Sequence, residues 1–309
     1  VIPQVKAKYP DIIFIAEVYN PHEYRNYIYR GHFDYLYDKV GLYDTIRSVV
    51  GGNTAMTITG AWQSVDDIQS HMLNFLENHD EQRIASDFFA GNAEKGKPAL
   101  LISSLMNTNP VMIYFGQELG ERGMDAEGFS GKDGRTTIFD YWTIDLIRRW
   151  RNGNKFDGKL LTAEEKDLQQ FYTKVLNICN KEKAIREGQF FDIMYVNYNE
   201  GMNEHRQYAF LRKHEKELIL VVANFDDKLA RSWVKIPAHA FNCMNIPVCD
   251  KEYECKDLLT GKKEKKAADV VIGNAPIDGI NNITQVPVVG ASPVAPVTPV
   301  VEAVPAVPV

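Results

Sequence analysis

Two short stretches hold side chains that could do chemistry. "DIIFIAE" (residues 11–17) is an apolar run that stops at Glu17. "MLNFLENHDEQR" (72–83) is an apolar run that stops in four polar residues, Glu77, Asn78, His79 and Asp80. A strand that only has to end needs Gly, Pro, or a single Asn or Asp. Two acids from separate strand ends are what glycoside hydrolysis requires. One must be protonated, to give a proton to the leaving oxygen. An ionised one must stabilise or attack an oxocarbenium-like carbon. His79 would add a donor for sugar hydroxyls. Taken singly, each feature has a plainer reading: a Glu after a strand is most often a solvated cap, and Asn and Asp are ordinary turn residues. The chemical reading rests on both acids falling at the same end of a strand in one repeating pattern.

That pattern is a β-α-β-α-β-α-β alternation. Strands are expected at 11–17, 33–38, 72–76 and 110–120, and helices at 21–32, 42–52 and 94–108, the second closed by glycines. The strand runs are nearly continuous in apolar residues, so the sheet should be parallel and covered by helices. In such architectures the C-terminal strand ends carry the site, because the βα loops converge there. A long amphipathic helix follows over 162–186, with Thr162 and Glu165 spaced as a capping box. The grammar then changes. "QYAFLRK", "ELILVVANFD" and "SWVKIP" are strand-like runs between polar turns, predicting an antiparallel β domain over 187–285. Residues 286–309 have Pro every few positions and one charge, which predicts an extended tail or linker that joins no sheet.

Composition removes several classes. The 309 residues are 45% hydrophobic and 25% charged, with a formal net charge of -6. The densest basic run, "GKKEKKAAD" (261–269), reads as a solvated turn, so nucleic acid is not an expected partner. No apolar run approaches the ~20 residues of a membrane span. The chain opens at Val1 directly into a strand signal, which reads as the interior of a longer protein and leaves compartment open. The cysteines at 179, 243, 249 and 255 fit no zinc spacing and are expected to be buried or half-buried thiols, with Cys179 in the core.

At this point the motifs resemble a known family. "FIAEVYNP" (14–21) resembles the stretch around the general acid of the α-amylase family, glycoside hydrolase family 13. "NFLENHDEQR" (74–83) is similar to its strand-seven motif, Phe-x-x-Asn-His-Asp, and "VMIYFGQELG" (111–120) to its strand-eight sequence. "DGRTTIFDYW" (133–142) resembles the loop that follows. The likeness covers roughly residues 1–185 and implies the family's retaining cleavage of α-glucosidic bonds in starch or maltooligosaccharides.

Carried over residue by residue, the resemblance implies that Glu17 is the proton donor. Asp80 would be the carboxylate that grips the 2- and 3-hydroxyls and stabilises the transition state, and His79 a neighbouring hydrogen-bonder. Tyr19 stands where many members have a stacking Trp. Asn78 would sit beside substrate or hold the turn, and Arg83 would contact substrate, orient a carboxylate or make a surface ion pair. Glu118 is expected to be mainly structural; Trp62 and Trp142 could stack on glucose rings or pack.

One departure is large. The family's strand-four Asp nucleophile and its strand-one Asn-His motif have no counterpart here. The expected fold is therefore α/β: the second half (strands five to eight, residues 1–186) of a (β/α)8 TIM barrel, followed by a small antiparallel β-sandwich. Such a piece would be inactive alone. Calcium is common in the family, held mainly by the absent half; no other cofactor is implied. The alternatives are a non-catalytic amylase-like carbohydrate-binding or scaffold protein, and a truncated reading frame. Retention of Glu17, His79 and Asp80 favours an enzyme.

Overall fold

A computed structural model describes residues 1–125, 132–136, 138, 144–199, 201–228, 232–247, 252–267 and 282–287. The chain divides into two compact units. The first takes Val1–Asn53, Gly60–Ser104 and Asn109–Val175; the second takes Thr54–Thr59, Leu105–Thr108 and the residues from Leu176 onward.

The first unit opens with α1 (Ile2–Lys8), which has Pro3 in its first turn, where the missing N–H is no loss. It buries no residue, so no apolar stripe announced it. Strand β1 (Ile15–Ala16) leads through a 3-10 turn into α2 (Tyr24–Tyr29), and β2 (Tyr35–Tyr37) into α3 (Asp44–Val50), which stops before Gly51 and Gly52. Next come α4 (Thr57–Gln63), another helix without a periodic signature, then β3 (Met72–Phe75), α5 (Gly96–Leu105) and β4 (Val111–Met112). The expected strand over 110–120 shrinks to those two residues. Gly116 and Gly120 each sit at φ 80 and bracket a single 3-10 turn, which extended backbone cannot follow. Helix α6 (Asp145–Arg151) and the first part of α7 (Ala163–Lys181) close the unit.

All four strands are parallel, in the order β1-β2-β3-β4. Tyr24 and Ile28, one turn apart on α2, pack with Leu36, Ile68 and Met72 into one apolar cluster. Each such side chain contributes about 1.5–3 kcal/mol by leaving water. The sheet's two outer edges, on β1 and β4, have no partner strand among the described residues. Contrary to the expectation of a fully covered sheet, Ile13 is 60% and Ile15 47% exposed.

The capping box at the start of α7 is reciprocal. The Thr162 amide donates to Glu165 Oε2 at 2.8 Å, and the Glu165 amide to Thr162 Oγ1 at 3.2 Å. Arg149 adds a bidentate pair to the same carboxylate, both contacts at 2.6 Å.

The second unit holds the end of α7, α8 (Lys183–Arg186) and six antiparallel strands: β5 (Gln189–Asp192), β6 (Gln207–His214) and β7 (Glu217–Asn224); then, after α9 (Ala238–Cys243), β8 (Glu252–Asp257), β9 (Lys263–Ala267) and β10 (Asn282–Pro287). Their order is β5-β6-β7-β10-β8-β9. Among the described residues this is one sheet, where a two-sheet sandwich was expected. The run "SWVKIP" forms no strand. Strand β10 pairs with β7 as far as Pro287 opposite Glu217, two residues into the stretch read as a tail; residues 288–309 lie outside the described ones.

Strands β6 and β7 are buried along almost their whole length, which is why they read as apolar runs without alternation. Arg212 in β6 is the polar exception. Its guanidinium donates to the carbonyls of Ala184, Ile185, Gly188 and Met106 at 2.6–3.0 Å. Burial lowers its pKa to about 10, and four carbonyls replace the water it has lost. No helix among the described residues is long and apolar enough to cross a membrane.

Candidate active site

Because β1 to β4 are parallel, their C-terminal ends lie along one rim. Glu17 follows β1 there, Tyr37 ends β2, and the segment 77–84 follows β3. Tyr19, two residues past Glu17, donates its hydroxyl to Glu17 Oε1 at 3.1 Å. Partial burial, that hydrogen bond and the negative charges of Glu17, Asp80 and Glu81 push its phenol up to about 12. One hydroxyl therefore senses carboxylates delivered by two different strands. Burial and the charge of Glu17 likewise push the Tyr37 phenol up. The rim is an acidic, aromatic surface, and 57% of Tyr19 is open to solvent.

The loop after β3 is held from beneath. Asn78 is buried, and its Oδ1 accepts from the amides of Asp80 and Glu81, both at 2.9 Å. It shapes the turn and has no face free for sugar. His79 and Asp80 are half-exposed, with His79 Nε2 3.4 Å from Asp80 Oδ2. Arg135 Nε donates to the Asp80 carbonyl at 2.7 Å. Glu81 takes a hydroxyl from Tyr43 at 3.0 Å and pairs with Lys39 at 3.2 Å.

Arg83 corrects the sequence reading. It is fully buried and cannot reach a substrate. Nη1 pairs with Glu77 Oε2 at 2.8 Å, Nη2 donates to the Phe115 carbonyl at 2.9 Å, and Nε to Thr136 Oγ1 at 3.2 Å. Its guanidinium also lies 4.2 Å from the Tyr114 ring centre. It does orient a carboxylate, but a buried one. Glu77 Oε1 in turn accepts the Ile84 amide at 2.7 Å, so the ends of the loop that presents His79 and Asp80 are tied together. Burial pushes the Glu77 carboxyl up even with Arg83 beside it.

Sequence reasoning gave Glu77, Arg135 and Tyr43 no role of their own. The first had a signal: two opposite charges, Glu77 and Arg83, bracket a loop that starts directly from a buried strand. Glu118 is half-buried, and burial pushes its carboxyl up. Trp62 is half-buried, and Trp142 lies outside the described residues.

A cavity of about 620 Å³ lies elsewhere, lined by Lys6, Ile13, Phe33, Asp34, Tyr35 and His71. These residues stand at the N-terminal strand ends, away from Glu17 and Asp80. Among the described residues, no three His, Cys, Asp or Glu side chains converge to hold a metal ion.

A family model described as "Alpha amylase, catalytic domain" matches residues 4–148. No curated protein matches. The fold is similar to that of solved α-amylases. The α-amylase of Geobacillus thermoleovorans, complexed with acarbose, superposes with a TM-score of 0.65 at 14% identity, over 92% of this chain and 55% of that one. An Anoxybacillus α-amylase gives 0.62 at 17%, over 94% and 55%. AmyP in complex with maltose gives 0.62 at 15%, over 90% and 56%. The chain spans about half the length of the solved structures it matches.

Proposed function

We propose that this chain is the acid-bearing part of a retaining α-glucan glycoside hydrolase of the α-amylase type, acting on starch or maltooligosaccharides. The observation that carries the reading is the rim itself: Glu17, with the Tyr19 hydroxyl hydrogen-bonded to it, follows β1, and Asp80 follows β3, at the same end of one parallel sheet. The family match and the amylase-like fold support it, as do the acarbose and maltose held by two of the similar structures.

In this reading Glu17 gives its proton to the leaving glucosidic oxygen. Asp80, with His79 beside it, grips the sugar hydroxyls and meets the positive charge that develops at the anomeric carbon. Tyr19 offers a flat ring to the sugar and a hydroxyl that steadies Glu17. The parallel sheet stands for strands five to eight of the barrel. Its β1 and β4 edges, which have no partner strand among the described residues, are where the other four strands would join, bringing the Asp nucleophile and the calcium ligands.

The test is Glu17→Gln in a polypeptide that contains this chain and the completing strands. Turnover on maltooligosaccharides is expected to fall by roughly 10²–10⁴-fold, the worth of a general acid. Aryl α-glucosides with good leaving groups should lose less, because they need little protonation. Unchanged turnover on maltooligosaccharides would remove Glu17 from the mechanism. Binding of maltotriose without any turnover in the unaltered polypeptide would favour the non-catalytic alternative. The chain by itself is expected to hydrolyse no glucan; Glu17-dependent turnover from it would overturn the half-barrel reading.

A further inference from the structure

We propose that the cavity at the N-terminal strand ends of the first unit is a second saccharide site, which holds a short α-glucan away from the Glu17 rim; the choice of an α-glucan rests on the glycosidase reading. The volume of about 620 Å³ falls within the roughly 300–1,000 Å³ of small-molecule pockets. Three consecutive strand starts contribute to the lining: Ile13 before β1, Asp34 and Tyr35 at β2, and His71 before β3. Lys6 comes from α1 and Tyr29 from α2.

The polar groups suit a neutral polyol. Lys6 Nζ donates to Asp34 Oδ1 at 2.6 Å and to the His32 carbonyl at 3.1 Å, and an ammonium has one N–H more than these two bonds use. Asp34 Oδ2 accepts the Phe14 amide at 2.8 Å, and each carboxylate oxygen keeps a second lone pair. The pair carries no net charge, so it favours neither an anion nor a cation. It sets a charged donor beside a charged acceptor, and a sugar hydroxyl can serve both at once. His71 adds an acceptor. Its Nδ1 lies 2.9 Å from the Asp34 carbonyl, which can only accept, so the neutral ring carries its proton there and its lone pair on Nε2. Apolar surface for the C–H face of a sugar stands alongside: Ile13 is 60% and Tyr29 58% exposed. The half-buried Phe33 ring is packed edge-on against Phe14, with centres 6.5 Å apart, so it offers a fixed surface at low entropic cost.

The full chain carrying Glu17→Gln and Tyr19→Ala, which disable the rim, is titrated with maltotriose and followed by saturation-transfer difference NMR. Binding is expected to persist. Adding Lys6→Met, which removes a charged donor, or Tyr29→Ala, which removes an exposed ring, should weaken it by about tenfold or more. Helix α1 buries no residue and Tyr29 is largely open to solvent, so both changes spare the core; circular dichroism checks that each variant remains folded. Loss of all binding once the rim is disabled, or equal binding in both cavity variants, overturns the proposal. Its failure is distinct from that of the glycosidase reading. Glu17-dependent turnover in the complete polypeptide with no cavity binding sinks the second site alone. Cavity binding with turnover indifferent to Glu17 sinks the catalytic assignment alone.

Discussion

Glu77 and Arg83 form a buried ion pair, Oε2 to Nη1 at 2.8 Å, that closes the base of the loop presenting His79 and Asp80. Neither residue can meet a substrate, yet the loop's shape depends on both. Removing one partner leaves a charge buried without compensation, which costs about 3–5 kcal/mol. Arg83→Met should therefore lower stability by that order in urea unfolding. The loss should be larger at high pH than at low, because an unpaired Glu77 can stay buried only by taking a proton. A variant as stable as the original at pH 8 would show that the pair is not what holds the loop.

Asp80 makes the opposite prediction. Its side chain is half-exposed, and among the described residues only His79 pairs with it. In the polypeptide with a complete barrel, Asp80→Asn should cost turnover by a factor of ~10² upward, the loss expected for one preorganised electrostatic partner. Stability should barely change. The melting temperature and the rate on a maltooligosaccharide separate the outcomes. A falling melting point with intact turnover would mark Asp80 as a turn residue.

Asp38 gives a pH signature. It is buried at the end of β2, its Oδ1 accepts the Leu42 amide at 2.9 Å, and burial pushes its carboxyl up to about 6. The folded state then holds a proton that the unfolded chain, titrating near 4, has already released. Its contribution is present below about pH 4 and is lost as pH rises toward 6. Measured against Asp38→Asn, which cancels all other groups, the original protein should lose on the order of 2–3 kcal/mol over that interval. A difference that is flat with pH would contradict the burial of this carboxyl.

The reciprocal bonds between Thr162 and Glu165 predict that Thr162→Ala destabilises by about 1 kcal/mol, the usual worth of an N-cap. Glu165→Ala should cost more, since it also strips Arg149 of its bidentate partner. Chemical denaturation of both variants checks the order; equal effects would mean that the Arg149 pair contributes nothing measurable.

What the sequence determined by itself is the local grammar. Apolar runs placed β2 and β3 within a residue or two, the Thr162–Glu165 spacing marked the start of α7, and polar residues after the strands marked the rim. These are short-range effects: a strand needs neighbours that want to be extended and buried, and a cap needs only the residue three positions on. Helices α1 and α4 escaped because they bury little, and without an apolar stripe a helix has no period to detect. Tertiary structure alone decided which charges are surface and which are interior. Glu77, Arg83 and Asp80 stand within seven residues of one another and look alike on paper. The fold buries the first two against Phe115 and Thr136 and leaves the third in the open, because burial depends on segments thirty to fifty positions away. The same holds for Tyr19, whose link to Asp80 exists only because β1 and β3 run parallel in one sheet.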